Sequence, residues 1–134
     1  MRLVAFRKRL TQSIKREEAF FMSETVKNLL SEYVVELQNI YGRHLQSVIL
    51  YGSYARGDFN KDSDIDIMIL LNLTDEEIKE YRHKLSEQTF DFYMDYDIDI
   101  KPIAKSKEHF MKWVDNYPFY ANVNREGVIL FETA

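Results

Sequence analysis

The stretch that most constrains the fold is "DIDIMILL" (64–71). Its β-branched residues and alternating head predict a strand. Asp64 and Asp66 then leave one face, roughly 7 Å apart at Cα, while Ile65, Ile67 and Ile69 turn to the other. Two bare carboxylates on one sheet face repel each other, and the usual remedies are protonation or a bound cation. Oxygen donors at this spacing favour Mg²⁺, which keeps part of its shell for water and substrate phosphates. The same spelling returns at Asp97 and Asp99 in "YDIDIKPI" (96–103), which reads as a second half-buried strand. Pro102 either ends that strand or marks a sheet edge. If the two strands are neighbours, three or four carboxylates converge. That is enough for a pair of metal ions about 3.5–4 Å apart.

Ahead of the first acid pair, the strand "LQSVILY" (45–51) runs into Gly52-Ser53. A glycine there lets a phosphate approach the backbone, and the serine hydroxyl and the amides that follow can donate to it. Arg56, one turn on, can neutralise a phosphate bidentately. Other readings of this segment fail. Gly52 and Gly57 have P-loop spacing, but Asp58-Phe59 stands where Lys-Ser/Thr is required. Asp58, Asn60, Asp62 and Asp64 open like a calcium loop, yet Ser63 replaces the turn glycine and Ile69 the bidentate glutamate. Arg56-Gly57-Asp58 is a three-residue coincidence. A lone Gly-Ser is usually a turn and a lone Asp-x-Asp a solvated strand face. The combination, with one half gripping a polyphosphate and the other holding metals, is hard to reach by accident.

Around this centre the pattern predicts one mixed α/β (α+β) domain over residues 22–134, a small mixed β-sheet with helices packed on it. Ser23 opens a helix with Val26, Leu29, Leu30, Tyr33, Val34, Leu37, Ile40 and Tyr41 on one side, stopped by Gly42. Thr74 to Glu77 forms a capping box. The helix it opens turns Ile78, Tyr81 and Leu85 inward and frays near Phe92. Ser106 starts another helix, Pro118 a further one, Gly127 ends it, and "VILF" (128–131) is a last short strand. His44, His83 and His109 are expected on the surface.

The chain's net charge of −4 hides an asymmetry. Residues 1–21 carry six Lys/Arg against Glu17 and Glu18, a net of +4, so the remainder sits at −8. So acidic a body is a poor general nucleic-acid binder. The basic leader, with Leu3, Phe6, Leu10 and Ile14 at near-helical spacing, reads as a surface helix or partner arm, or as non-native sequence. Arg16-Glu17-Glu18 can be encoded AGG-GAG-GAG, a ribosome-binding sequence shortly before Met22, so translation is expected to start at Met22. The absence of cysteine excludes disulfides and thiolate metal sites and makes a reducing, cytoplasmic setting the default. No apolar run approaches the roughly 20 residues that span a bilayer. Tyrosine and phenylalanine number nine each. Phe90, Phe92, Tyr93, Tyr96, Tyr117, Phe119 and Tyr120 cluster late; most are expected in the core, and any that are exposed suit a protein interface.

"GSYARGDFNKDSDIDIMIL" resembles the Gly-Ser…[Ser/Asp]-Asp-x-Asp signature of nucleotidyltransferases of the DNA polymerase β-like superfamily. The short length further resembles the minimal nucleotidyltransferases that act as antitoxins beside HEPN-domain ribonuclease toxins. The likeness covers roughly residues 23–131. It implies the nucleotidyltransferase fold, with Gly52, Ser53, Arg56 and Ser63 at the nucleotide and Asp64 and Asp66 as metal ligands. It puts the third carboxylate on the next strand, at Asp97 first, with Asp99 on the same face as the alternative. The implied reaction uses two Mg²⁺ ions and moves AMP from ATP to a hydroxyl, with pyrophosphate leaving. Since only two short helices and a strand follow "YDIDIKPI", the acceptor site is expected to be completed by another polypeptide, a HEPN toxin modified on a tyrosine. The alternatives are a catalytically idle toxin-binding antitoxin and a small-molecule nucleotidyltransferase subunit; homo- and hetero-oligomers are both compatible.

Overall fold

The computed structural model describes residues 22–133. The basic leader over residues 1–21 lies outside them. Helix α1 (Glu24–Tyr41) starts where the Ser23 side chain accepts from the Val26 amide and ends at Gly42, so the caps stand where their chemistry predicts. A short 3₁₀ turn (Gly42–His44) leads into β1 (Leu45–Tyr51), followed by the one-turn helix α2 (Ser53–Arg56) and β2 (Ile65–Leu71). Two helices follow, α3 (Asp75–Lys79) and α4 (Arg82–Tyr96), then β3 (Ile100–Ser106), α5 (Lys107–Trp113), α6 (Pro118–Glu126) and β4 (Val128–Glu132). Among the described residues, no helix is long and apolar enough to cross a membrane.

The four strands form one sheet in the order β3-β2-β1-β4. β1 runs antiparallel to β2 and β4, and β2 runs parallel to β3. Both faces of the sheet are covered. Ile65, Ile67, Ile69 and Leu71 join Val48, Leu50 and Ile100 beneath α1 and α4. Met68, Leu70 and Ile49 pack on the other side against Phe110, Tyr120 and Val123 of α5 and α6. Burial on both sides explains why β2 reads as nearly continuous hydrophobic sequence after Asp66. Helix α1 buries Leu30, Tyr33, Val34, Leu37 and Tyr41, a single stripe at helical spacing. The Tyr33 hydroxyl and Thr89 Oγ1, 2.7 Å apart, tie that stripe to α4.

Three expectations need correction. The helix opened by the Thr74 capping box does not continue to Phe92. It stops after Lys79, and a separate helix runs from Arg82 to Tyr96. That second helix consumes the front of the predicted strand. Tyr96 is its last residue, and Asp97 caps it in the left-handed conformation (φ 54°, ψ 40°), its amide donating to Tyr93 O. The strand itself begins only at Ile100, so Asp97 and Asp99 do not share a strand face. Pro102 does mark a sheet edge, since β3 is the outermost strand on its side. His83 is exposed as expected, whereas His44 and His109 are half-buried.

Candidate active site

β1 delivers the chain to Gly52, which turns it sharply. With φ 77° and ψ −155°, Gly52 occupies backbone space that side-chain-bearing residues rarely adopt. Its carbonyl accepts from the Ala55 and Arg56 amides at 3.1 and 3.0 Å, which winds α2 directly after the strand. A second reason for glycine comes from across the sheet. A Cβ on Gly52 would overlap Asp66 Oδ2 and stand 3.1 Å from Asp66 Cγ. The Gly-Ser turn and the second aspartate of the acid pair are therefore pressed against each other. The register that does this pairs Tyr51 with Asp66.

The loop from α2 back to β2 is internally tied. Tyr54 and Phe59 stack with centroids 4.1 Å apart, folding the loop over the one-turn helix. Asn60 Oδ1 accepts from the Asp62 amide at 2.8 Å, and Ser63 Oγ accepts from the Asn60 amide at 2.9 Å. The Ser63 hydroxyl thus shapes the turn that aims Asp64. Arg56 Nε holds Asp58 at 3.1 Å, and its guanidinium also reaches Glu126 of α6 at 3.4 Å. Nothing in the sequence pattern points to Glu126, because its contact with Arg56 spans most of the domain.

Asp64 is exposed one residue ahead of β2, and Asp66 is half-buried inside it. Burial lifts the Asp66 carboxyl above its ordinary range, and the Asp64 charge lifts it further, while Arg56 and Lys101 pull it back. Burial, and then the Asp66 charge, push the Tyr51 phenol up to about 12, so it stays neutral beside the acids. From β3, Ile65 pairs with Ile100 and Asp66 with Lys101. The Ile65 amide donates to the Asp99 carbonyl at 2.9 Å, which stitches Asp99 alongside the start of β2. Lys101 Nζ stands 3.4 Å from Asp99 Oδ1. Asp97 is exposed at the helix cap, outside the ladder.

Gly52, Ser53, Arg56, Asp64, Asp66 and Asp99 thus belong to one end of the sheet. Among the described residues, no three His, Cys, Asp or Glu side chains stand grouped to hold a metal ion. Lys101 sits between two of the acids, bonded to Asp99 and opposite Asp66. The chemistry of the donors still fits Mg²⁺. All are hard oxygen ligands, burial and then the Asp64 charge hold the Asp66 carboxyl above its usual range, and a divalent cation between the two acids relieves their repulsion.

An acid-bearing strand end facing a Gly-Ser turn has the chemistry of a phosphate-handling site. The sequence profile of the nucleotidyltransferase domain matches residues 28–120, and the chain belongs to that family. It is 34% identical over 102 residues to MJ0604 of Methanocaldococcus jannaschii, provisionally named a protein adenylyltransferase, spanning 76% of this chain and 94% of that protein. A second relative from the same organism, MJ0141, with the same provisional name, is 35% identical over 92 residues, 66% of this chain and 91% of that protein. The crystal structure of a toxin-antitoxin MntA-HpeT mutant matches with a TM-score of 0.50 at 21% identity, covering 76% of this chain and 73% of that one. Its likeness is one of fold. The protein is a nucleotidyltransferase enzyme with a mixed α/β architecture.

Proposed function

We propose that this nucleotidyltransferase moves AMP from ATP to a tyrosine hydroxyl of a partner protein, a HEPN-type ribonuclease toxin, and so acts in the cytoplasm as an antitoxin. The observation that carries the reading is the close approach of Gly52 and Asp66, with Asp99 bonded alongside the start of β2. The Gly-Ser turn suits a phosphate, and the hard carboxylate oxygens beside it suit Mg²⁺. The provisional names of the two archaeal relatives support a protein acceptor.

In this reading Asp64, Asp66 and Asp99 would hold two Mg²⁺ ions, which would supply charge neutralisation at the α-phosphate. Gly52 gives the polyphosphate access to the backbone, and Ser53 donates its hydroxyl to it. Arg56 already bridges two acids, and it offsets the phosphate charge by exchanging one of them. The tyrosine oxygen forms the new bond to the α-phosphorus, the bond from that phosphorus to the β-bridging oxygen breaks, and pyrophosphate leaves with the electron pair. Asp99 accepts the proton released by the attacking hydroxyl. We assign this role to Asp99 rather than Asp97 because Asp99 lies beside β2 in the ladder, while Asp97 caps α4.

Incubating the protein with ATP labelled at the α-phosphate, Mg²⁺ and the partner ribonuclease tests this reading. Label on the partner, lost when its tyrosines are replaced by phenylalanine, is the expected result. Blockade of the ribonuclease without any label would instead establish an idle binding antitoxin. Label on an aminoglycoside but not on protein would establish a small-molecule enzyme.

A further inference from the structure

A well-formed hollow lies away from the Gly-Ser turn. It is a groove of about 610 Å³ between α4 and the outer strand β3, lined by Arg82, Phe90 and Tyr93 on one side and Pro102 and Ala104 on the other. Its volume falls in the range of ligand pockets, about 300–1,000 Å³. At its inner end it reaches Asp99 and Lys101, the two β3-side residues of the candidate site. The groove and the candidate site therefore share Asp99 and Lys101.

Its walls have the composition of a protein contact. Phe90 is 59% and Tyr93 47% exposed, and Met94, 63% exposed, extends the same apolar stretch of α4. Three large apolar side chains in five residues, left in water on one helix, mark an interaction surface rather than a solvated face. The edge strand is a poor template for strand addition, because Pro102 has no N–H to offer at its middle. A partner must hold this groove by side chains. The charges select its sign: Lys101 and Asp99 offset each other at 3.4 Å, and Arg82 meets no carboxylate among the described residues, which leaves the lining net positive. A basic segment such as residues 1–21, net +4, is mismatched to it.

We propose that the groove between β3 and α4 is the docking cleft for the acceptor protein, taking a short acidic segment with an aromatic or aliphatic anchor and so bringing the neighbouring hydroxyl to Asp99. This rests on the reading of the acceptor as a protein. The anchor fills the space between Phe90, Tyr93 and Pro102, and acidic residues beside it meet Arg82. Docking thereby sets which hydroxyl is modified, while the Gly-Ser side sets the nucleotide.

Two variants test it: Phe90→Glu with Tyr93→Glu, and the separate charge reversal Arg82→Glu, all at exposed positions. With the partner ribonuclease as acceptor, each is expected to raise KM for that protein by about tenfold or more. Each should leave the affinity for Mg²⁺ and a non-hydrolysable ATP analogue, measured by calorimetry, unchanged. Met111→Glu, exposed on α5, should alter neither quantity. Unchanged acceptor KM in both variants overturns the docking cleft while leaving the proposed function standing. Loss of analogue binding in both overturns it too, by making the groove part of the nucleotide site. A wild-type protein that labels no protein removes the proposed function, and the cleft with it. Two further results assign the groove elsewhere and overturn the proposal. One is faster labelling once residues 1–21 are deleted, which makes the leader its occupant. The other is dimerisation of the wild type that the variants abolish, which makes a second copy its occupant.

Discussion

The tetrapeptide Asp-Ile-Asp-Ile occurs twice, at 64–67 and 97–100, and the two copies fold differently. The first enters β2 at its first isoleucine, so Asp66 lies inside the strand with Ile65 and Ile67 buried beneath it. The second enters β3 only at its last residue, and its first aspartate closes a helix in the left-handed conformation. The parallel ladder then sets Ile65 opposite Ile100, two residues out of step with the repeat. What differs is the approach. A loop tied by Asn60 and Ser63 leads to the first copy, whereas a 15-residue helix runs up to the second. The preceding element decides where a strand starts, and with it which acid of an identical pair reaches the site.

The largest consequence falls on the first copy. Asp64→Asn with Asp66→Asn should lower AMP transfer on the order of 10³-fold in a labelled-ATP assay, with circular dichroism unchanged. Persisting transfer would mean that the first copy is not the metal-binding pair. The second copy sharpens the contrast. Asp99→Asn should lower kcat about 10²-fold, whereas Asp97→Asn should stay within about twofold, as a solvated helix cap does. The reverse ranking would restore Asp97 as the third carboxylate. Next comes the backbone that receives the acids. Gly52→Ala should cost roughly 1–3 kcal/mol in urea unfolding, through strain at positive φ and overlap with Asp66. The smallest effect is electrostatic. Asp66 has a raised carboxyl in the fold, so the stability it contributes is fully present below the ordinary carboxylate range and is lost as pH rises through the raised value. Asp66→Asn, in the absence of Mg²⁺, should therefore melt higher than wild type at neutral pH and lose that advantage below about pH 4. Mg²⁺ should raise the melting temperature of the wild type more than that of Asp66→Asn.

Much of this was legible from residues alone because its causes are local. Ser23, Thr74, Ser106 and Pro118 stand at helix starts where their capping chemistry predicts. β1 and β2 fall within a residue of their expected spans because each is bounded by turn residues and filled with β-branched ones. The start of β3 was hidden because "FYMDYDIDI" suits a helix end as well as a strand, and alternation alone does not choose between them. The ion pair of Arg56 with Glu126 was hidden for another reason. It depends on which elements meet, which the pattern of a single segment does not encode.

The central claim is that Asp99, not its twin Asp97, joins Asp64 and Asp66 at the reaction centre. A crystal structure with Mn²⁺ and a non-hydrolysable ATP analogue, read by anomalous scattering, tests it most directly. The account predicts manganese held by Asp64, Asp66 and Asp99, with the triphosphate against Gly52 and Ser53, and Asp97 away from the metal. Manganese coordinated by Asp97, or bound away from Asp64 and Asp66, would contradict it.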